Sequence, residues 1–540
     1  MTPAVDAELW RVVKRMLEKE RDRRYPSMRE VERELCAVLR GDAATRSVSP
    51  GVAERSVAVM TFTNITGSPE DEWLATAISE TVTADLKALG GVAVFGNERV
   101  HEVLRRLRSG RSGIDERLAI DVGREMGARW IVSGGFQRVG DQLRITARFL
   151  EVSSGEVLRT VKIDGATADL FALQDRIARE LAQGLPALAS PGAPAAATPE
   201  ETTVLPAYEA FTKGVYNRRV AGRDSLERAI LFFERAVALD PLYLRAQVAL
   251  AMAYDDKGQD LSAPEPVEKA VAIFQKVLVR DPGRSEAWRG YASALGYLGR
   301  SAEALVAVQR ALALRPEDAR VHASYARILF LGYARFADAA AELEVALRIN
   351  PQAGWAALQL VHCYTLLNDL AKAEEVARRA VALQRQLVSG KEGFLIVGSH
   401  TRLGHVLTLQ GRFEAAEEEY QEELLFLTRV DHVLRERARI ELDTRLGEVL
   451  LKTGREEEAR LHFRRAVTSF EERLAMGADE PFTRYYVALA LTHLGEKARA
   501  VEFLEEAARM RRLFTVARAA LEAGFAGLRG DPGFEALLAS

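Results

Sequence analysis

The sequence predicts a multidomain protein in which a small α/β domain with a mixed sheet precedes an all-α solenoid, with a short helical segment at the N-terminus. Two observations predict this fold class. Strand-like and helix-like patterns alternate over residues 55–186, and similar helical segments recur about every 34 residues beyond position 205. A chain of 540 residues is also long enough for several domains.

Charge and hydropathy argue against two classes of partner, nucleic acids and membranes. The chain carries 74 Lys and Arg against 77 Asp and Glu, a net charge of −3, so we expect no nucleic-acid partner. No stretch approaches the ~20 apolar residues of a membrane helix, so we expect no membrane insertion. The N-terminus has no apolar export signal, which favours a cytoplasmic protein. Cys36 and Cys363 are isolated, and no Cys or His cluster predicts a metal or a cofactor.

Residues 1–40 have the pattern of two charged, amphipathic helices. Leu9 and Val13 belong to one apolar stripe with helical spacing. Ser27, with a glutamate three positions later, is typical of the residue that caps the start of a second helix. The stretch 41–54 carries small and turn-forming residues without periodicity, so we expect a linker there.

Residues 55–186 predict a compact α/β domain. The segment SVAVMTF at 56–62 is typical of a buried strand, and a helix follows through about Leu89. After a short strand and two helical stretches, 129–164 has the pattern of three strands joined by tight turns. Apolar and polar residues alternate there, as in a sheet with one face in water. A helix at about 168–183 closes the domain.

The Pro- and Ala-rich stretch 187–206 predicts a semi-extended linker. It lacks the spacing of large apolar residues that a packed helix or strand needs. We therefore expect the α/β domain and the solenoid to move semi-independently. Limited proteolysis should cut this stretch first.

Residues 207–512 predict about eight helical hairpins, with a helical cap at 513–540. Each unit carries a small residue where its two helices meet, and several carry a large ring four positions later, as at Ala229 and Phe233. A small side chain opposite a bulky one lets antiparallel helices cross closely. Characteristic positions of the tetratricopeptide repeat (TPR) pattern are occupied by Trp288, Ala304, Ala311 and Pro316.

The concave face of such a solenoid is the candidate surface for a partner. In TPR domains this face comes from about the second, fifth, ninth and twelfth positions of each repeat. The corresponding residues are Arg289, Ser293, Arg320, Arg327, Phe330, Trp355, His362, Thr401 and His405. Basic and aromatic side chains favour an extended protein or peptide partner with an apolar or acidic anchor. The alternative is that Phe330 and Trp355 pack between helices.

No motif in the sequence predicts catalysis. The patterns GxxxxGK[ST], HExxH and GxSxG are absent, and SGGFQRVG at 133–140 is better explained as a β-hairpin than as a phosphate-binding loop. His400 and His405 are five positions apart, so they would not share one face of a helix to bind a metal. We expect no enzymatic activity.

Three stretches resemble parts of bacterial signalling kinases. The segment ELWRVVKRMLEKERDRRYPSMREVERELCAVL at 8–39 is similar to the last helices of a serine/threonine kinase C-lobe, with Arg24 at the position of that family's buried arginine. Over 55–186, SVAVMTFTNITGSPEDEWLATAISETVTADL and GREMGARWIVSGGFQRVGDQLRITARFLEVSSGEVL resemble the TolB-amino-terminal-like domain. From 207 the chain resembles the TPR region that follows this domain in such regulators. The Gly-rich loop, H-R-D and D-F-G of a kinase are absent.

Two hypotheses about function follow from the residues and these resemblances. The favoured one is a non-catalytic signalling or scaffold protein, whose repeats bind a protein or peptide and whose α/β domain is a sensor or docking module. The alternative is the C-terminal regulatory region of a serine/threonine protein kinase whose catalytic domain is missing from this chain. The resemblance also implies a kinase as a partner.

Overall fold

The computed structural model describes residues 55–89, 92–107, 115–183, 202–219, 223–388, 396–430 and 434–539. The helices predicted for 1–40 and the linker predicted for 41–54 lie outside these ranges. Most of the linker predicted for 187–206 also lies outside them.

A mixed six-stranded sheet forms the centre of the α/β domain. Its strands are β1 (Ser56–Val59), β2 (Thr63–Asn64), β3 (Ala93–Val94), β4 (Trp130–Val139), β5 (Gln142–Glu151) and β6 (Val157–Ala166). The strand order is β3-β1-β4-β5-β6, and β2 pairs with β4. The pairs of β1 with β3 and β4 are parallel, whereas β4, β5 and β6 form an antiparallel meander. The prediction of a small mixed-sheet domain is confirmed.

Helices cover both faces of this sheet. They are α1 (Glu72–Leu89), α2 (Asn97–Leu107), α3 (Glu116–Met126) and α4 (Leu170–Ala182). Helices α1 and α4 bury apolar residues against one face, which includes Ile145 and Phe149 of β5, and α2 and α3 pack on the other. Helix α3 begins where the Asp115 carboxylate accepts the Leu118 N–H at 2.8 Å, and it ends at Gly127, whose φ of 68° favours glycine.

Eight antiparallel helical hairpins follow among the described residues. They pair α5 (Leu205–Arg219) with α6 (Arg223–Leu239), α7 (Leu244–Leu261) with α8 (Pro264–Arg280), α9 (Ser285–Tyr297) with α10 (Ser301–Leu314), α11 (Ala319–Tyr333) with α12 (Phe336–Ile349), α13 (Gly354–Leu366) with α14 (Leu370–Val388), α15 (Ser399–Leu409) with α16 (Phe413–Arg429), α17 (Arg435–Lys452) with α18 (Glu456–Ala475), and α19 (Pro481–Leu494) with α20 (Lys497–Met510). After them come α21 (Arg512–Leu521), a 3-10 helix (Ala523–Leu528) and α22 (Pro532–Ala539).

The small-against-large pattern of the sequence is the packing rule within the hairpins. In the seventh hairpin, the fully buried ring of Phe463 lies against Gly447 of the facing helix. A Cβ atom at Gly447 would stand 2.6 Å from the Phe463 Cε1 atom, closer than carbon atoms approach. Gly404 and Tyr420 repeat this arrangement in the sixth hairpin. Glycine is therefore needed where an aromatic ring fills the space between two helices.

The α/β domain and the first hairpin share one hydrophobic core. The Tyr208 side chain of α5 is 2% exposed, and its ring centre lies 5.1 Å from that of Phe171 on α4. Its hydroxyl donates to the Ala77 carbonyl of α1 at 3.1 Å and lies 2.9 Å from the Thr81 hydroxyl. The expectation of semi-independent movement is therefore wrong, because linker composition does not reveal that α1 and α4 present apolar faces to α5.

Candidate partner-binding site

The inner face of the solenoid is lined by the first helix of each hairpin. These helices pack on the first helices of neighbouring hairpins as well as on their own partners, which places them on the inside of the curve. They include α7, α9, α11, α13, α15, α17 and α19. The second helices present side chains outward, as shown by Leu231 of α6 and Val279 of α8, which are 64% and 85% exposed.

A polar network joins the second, third and fourth hairpins on this face. The Ser293 hydroxyl of α9 donates to Asp255 Oδ2 of α7 at 2.7 Å. The guanidinium of Arg327 on α11 donates to Ser293 Oγ at 2.5 Å and to Gln259 Oε1 at 2.8 Å. Burial raises the pKa of Asp255 to about 6, although the charge of Arg327 opposes the rise. Ser293 and Arg327 therefore hold adjacent hairpins in register.

An aromatic cluster covers the middle of the inner face. The Phe330 ring of α11 is 1% exposed, and its centre lies 5.0 Å from that of His362 on α13 and 5.2 Å from that of Phe336. The Phe514 ring of α21 also lies 5.2 Å from Phe330, and 5.2 Å from Phe482 of α19. Helix α21 thus reaches from the end of the solenoid back to its fourth hairpin.

One turn further along α21, Arg518 enters a buried site of tyrosines and charges. Its guanidinium carbon lies 4.0 Å from the ring centre of Tyr485 and 4.8 Å from that of Tyr486. The guanidinium donates to the Tyr486 hydroxyl at 2.6 Å. Tyr486 in turn donates to Glu441 at 2.5 Å, and Arg402 pairs with the same carboxylate at 2.5 Å. These contacts connect α15, α17 and α19 to α21.

Arg445 of α17 bridges two carboxylates, that of Glu448 on the same helix and that of Glu522 at the end of α21. Its guanidinium donates to Glu448 at 2.8 Å and to Glu522 at 2.7 Å, and its side chain is 2% exposed. Burial would lower the pKa of Arg445, but the two carboxylates raise it well above its ordinary value. Burial would likewise raise the pKa of Glu522, but Arg445 holds it below its ordinary value. Arg445 and Glu522 therefore both stay charged in the fold.

The structure corrects the predicted open surface at four positions. The buried residues are Ser293, Phe330, His362 and Thr401, which are 8%, 1%, 7% and 2% exposed. Phe330 and His362 lie in the aromatic cluster that α21 completes, so the alternative of core packing holds for Phe330. The Thr401 hydroxyl and the half-buried His405 Nδ1 are also shielded from solvent, and neither has a hydrogen-bond partner among the described residues.

Two predicted residues remain accessible on the surface, and Arg289 is one of three that are half-buried, with Arg327 and His405. Trp355 of α13 is 45% exposed, so it is not a core residue. Arg320, at the start of α11, is exposed and donates to the Asp318 carboxylate that caps the same helix. Arg289 is half-buried, with Nη2 3.9 Å from the Met252 sulfur. Trp355 and Arg320 are the predicted residues that a partner could reach directly.

Sequence reasoning missed the residues that fill the face from the C-terminal side. Phe514, Arg518 and Glu522 follow one another at four-residue intervals, so they share one side of a helix. That spacing was a usable signal for a helix with one buried side. It does not indicate which of the preceding hairpins the helix contacts.

Within the described ranges, His, Cys, Asp and Glu side chains form no group of three or more that could hold a metal ion. No helix in those ranges is both long enough and apolar enough to cross a bilayer.

We expect the stability of the protein to fall as the pH drops below about 6.5, because His362 and His405 are buried beside positive charge. Burial, then Arg402 and Arg518, lower the pKa of His362 well below 6.5. Burial and Arg445 do the same for His405, although Glu522 opposes them. Below that pH the two histidines are protonated in the unfolded chain but stay neutral in the folded protein. This difference lowers the free energy of unfolding by up to about 1.4 kcal/mol per pH unit for each histidine.

Thermal unfolding at pH 7.5 and 5.5 measures this dependence. The double variant His362→Gln/His405→Gln should lose less stability between the two pH values than the parent. Asp255 acts in the opposite direction, since its raised pKa favours the fold as pH falls. It is present in both proteins, so the difference between them isolates the histidines. Equal pH dependence in both would contradict the prediction.

Comparison with known proteins identifies the repeats. The tetratricopeptide repeat family model matches residues 267–328 and 330–388. The prediction of a TPR solenoid is confirmed. The resemblances of residues 8–39 to a kinase C-lobe and of 55–186 to the TolB-amino-terminal-like domain stay predictions.

A curated protein of Rhizobium meliloti (strain 1021), named "Putative adenylate cyclase 3", is 28% identical to this chain over 133 residues. The match covers 25% of this chain and 21% of the relative. The chain therefore spans about a fifth of that protein's length.

Several solved structures are similar to parts of the chain. PilW, a type IV pilus biogenesis factor, is 20% identical, with 44% of this chain and 98% of PilW covered and a TM-score of 0.34. A tetratricopeptide repeat protein from Parabacteroides merdae ATCC 43184 is 14% identical, with coverages of 53% and 99% and a TM-score of 0.37. The Cut9–Hcn1 hetero-tetramer of APC/C is 15% identical, with 65% of this chain and 59% of that chain covered and a TM-score of 0.39.

Proposed function

We propose that this chain is a non-catalytic scaffold of a bacterial cytoplasmic signalling system. The solenoid holds a protein or peptide partner on its inner face, and the α/β domain acts as a sensor or docking module. The observation that carries the proposal is the TPR solenoid itself, since TPR domains are protein-interaction scaffolds. Arginine and aromatic residues line its inner face, and these residue types often dominate interface energies.

The contact between the α/β domain and the first hairpin supports a role for that domain in the same task. Besides the Tyr208 contacts, Arg245 of α7 pairs with Glu80 of α1 at 2.8 Å. A ligand that displaced α1 would therefore alter contacts with the first two hairpins. A change at the α/β domain could reach the solenoid along this route.

Affinity capture of the full-length tagged chain tests the proposal. Proteins that co-purify with the parent from its native cells are identified by mass spectrometry and then compared between variants. We expect Trp355→Ala and Arg320→Glu to lose at least one specific partner. The control Val279→Ala, on the outer face, should retain it. A partner set that is the same for all these proteins would contradict partner binding on the inner face.

The alternative, a regulatory region of a serine/threonine kinase, is supported by the resemblance of residues 8–39 to the end of a kinase C-lobe. Neither proposal gives the chain phosphotransfer of its own, because the nucleotide-binding and catalytic motifs are absent from its sequence. Purified protein incubated with labelled ATP should therefore neither bind the nucleotide nor label itself. Saturable binding near micromolar affinity would contradict both proposals. A kinase recovered in the capture experiment would favour the alternative.

A further inference from the structure

Helix α21, which follows the eighth hairpin, crosses the inner face of the solenoid instead of extending the stack of hairpins. The chain turns at Arg511, whose guanidinium donates to the Gly296 carbonyl at 2.7 Å and to the Tyr297 carbonyl. Both carbonyls belong to the third hairpin, whereas Arg511 directly follows the eighth, more than two hundred positions later in the sequence. Phe514 then reaches the fourth hairpin at Phe330. The inner face therefore already holds a helix, supplied by its own chain.

One side of α21 makes the buried contacts. Phe514 packs between Phe330 and Phe482, Arg518 lies on Tyr485 and Tyr486, and Glu522 pairs with Arg445. Phe514 and Arg518 are 1% and 2% exposed. The other side is open, since Leu513 and Leu521 are 55% and 58% exposed. The face thus recognises an aromatic residue, an arginine and a glutamate at four-residue intervals.

The same contacts leave some buried polar atoms unsatisfied. Arg445 Nε and His405 Nδ1, on the face that α21 covers, have no hydrogen-bond partner among the described residues, and neither does Arg518 Nη1 of α21 itself. The cost of removing such atoms from water is not recovered while they remain unpaired. Helix α21 is therefore an imperfect match to the surface that it covers. A partner helix that paired Arg445 Nε and His405 Nδ1 as well would bind more tightly.

We propose that the inner face of the fourth to eighth hairpins is a receptor for an amphipathic helix of a partner protein that carries an aromatic residue, an arginine and a glutamate at positions i, i+4 and i+8. Helix α21 occupies this receptor in the free protein and is displaced when the partner binds. The inference rests on the proposed function and adds the chemistry of the partner. It also adds a competition that holds the binding surface closed until such a helix is present.

A fluorescent peptide spanning residues 509–524 is the probe, and its anisotropy measures binding to the full-length chain. The parent should bind it weakly, because its own helix competes. The double variant Phe514→Ala/Arg518→Ala should bind it at least tenfold more tightly, since the competing helix has lost its anchors. The matched control Leu513→Ala/Leu521→Ala changes the open side of α21 and should behave like the parent. A peptide that carries Arg518→Glu should not bind any of these proteins.

Arg511→Ala provides a second opening variant, in case the double variant loses its helical circular dichroism. It removes the contacts with Gly296 and Tyr297 but keeps every residue of the receptor, so it too should bind the peptide more tightly than the parent. Equal affinity for the parent and a folded opening variant, or no binding to either, would overturn the inference. Dimers of an opening variant on gel filtration would overturn it as well, since the occupant would then be a second copy of the chain. None of these outcomes depends on the result of the affinity-capture experiment. The helix-receptor inference and the proposed scaffold function can therefore fail separately.

Discussion

The substitution Arg445→Met is expected to lower the free energy of unfolding by about 3–5 kcal/mol. Arg445 is 2% exposed and pairs with both Glu448 and Glu522. Methionine keeps an apolar stem of similar length but leaves two buried carboxylates without their common cation. Removal of one member of a buried charged group costs more than the group contributes, because the remaining charges stay desolvated. Chemical denaturation monitored by circular dichroism measures the loss.

Arg455→Met is the matched control for this prediction. Arg455 also bridges two carboxylates, those of Glu417 and Glu458, but its side chain is 41% exposed. Water solvates these charges when the arginine is removed, so stability should change little. A similar loss in both variants would show that the number of ion pairs, and not their burial, determines the effect. The prediction for Arg445 would then be wrong.

The second large effect is expected for Tyr208→Ala at the junction of the two domains. The substitution removes a buried ring and the hydroxyl contacts to Ala77 and Thr81. Loss of a buried aromatic side chain typically costs about 3–5 kcal/mol. Because this ring belongs to the core that both domains share, the single unfolding transition expected of the parent should divide into two. Differential scanning calorimetry distinguishes one transition from two.

Tyr216→Ala is the control on the same helix, since Tyr216 is 38% exposed. It should keep a single transition. Proteolysis provides a second readout: after a cut within residues 187–201, the two fragments of the parent should still elute together on gel filtration. Fragments of Tyr208→Ala should separate. Separation of the parent fragments would contradict the shared core and restore the expectation of independent domains.

Local sequence patterns were sufficient for the fold class. Alternation in β5 predicted a sheet with buried Ile145 and Phe149, and the recurrence of small residues opposite rings predicted the hairpins. Both are contacts between residues close in sequence or between successive repeats, so their spacing is visible in the chain. The shared core at Tyr208 was not predictable in this way, because it depends on which outer faces of two domains meet.

The candidate site was predicted only in part, for the same physical reason. The repeat register placed Phe330 and His362 on the inner face, where the structure has them. It could not show that they are covered, since Phe514 comes from a helix almost two hundred positions later in the chain. Asp255 and Gln259 were missed because their partners, Ser293 and Arg327, lie in neighbouring repeats. A buried polar network leaves no periodic signal in the sequence.

The return of helix α21 to the third and fourth hairpins changes the mechanics of the solenoid. In an open superhelix each repeat contacts only its neighbours, so the molecule can stretch like a spring through small rotations at every junction. Here Arg511 is tied to Gly296, 215 positions earlier in the chain. This contact joins the end of the eighth hairpin to the third hairpin, so the third to eighth hairpins form a closed loop of contacts. The elastic compliance expected of the third to eighth hairpins is therefore suppressed, and their curvature is fixed while α21 stays in place.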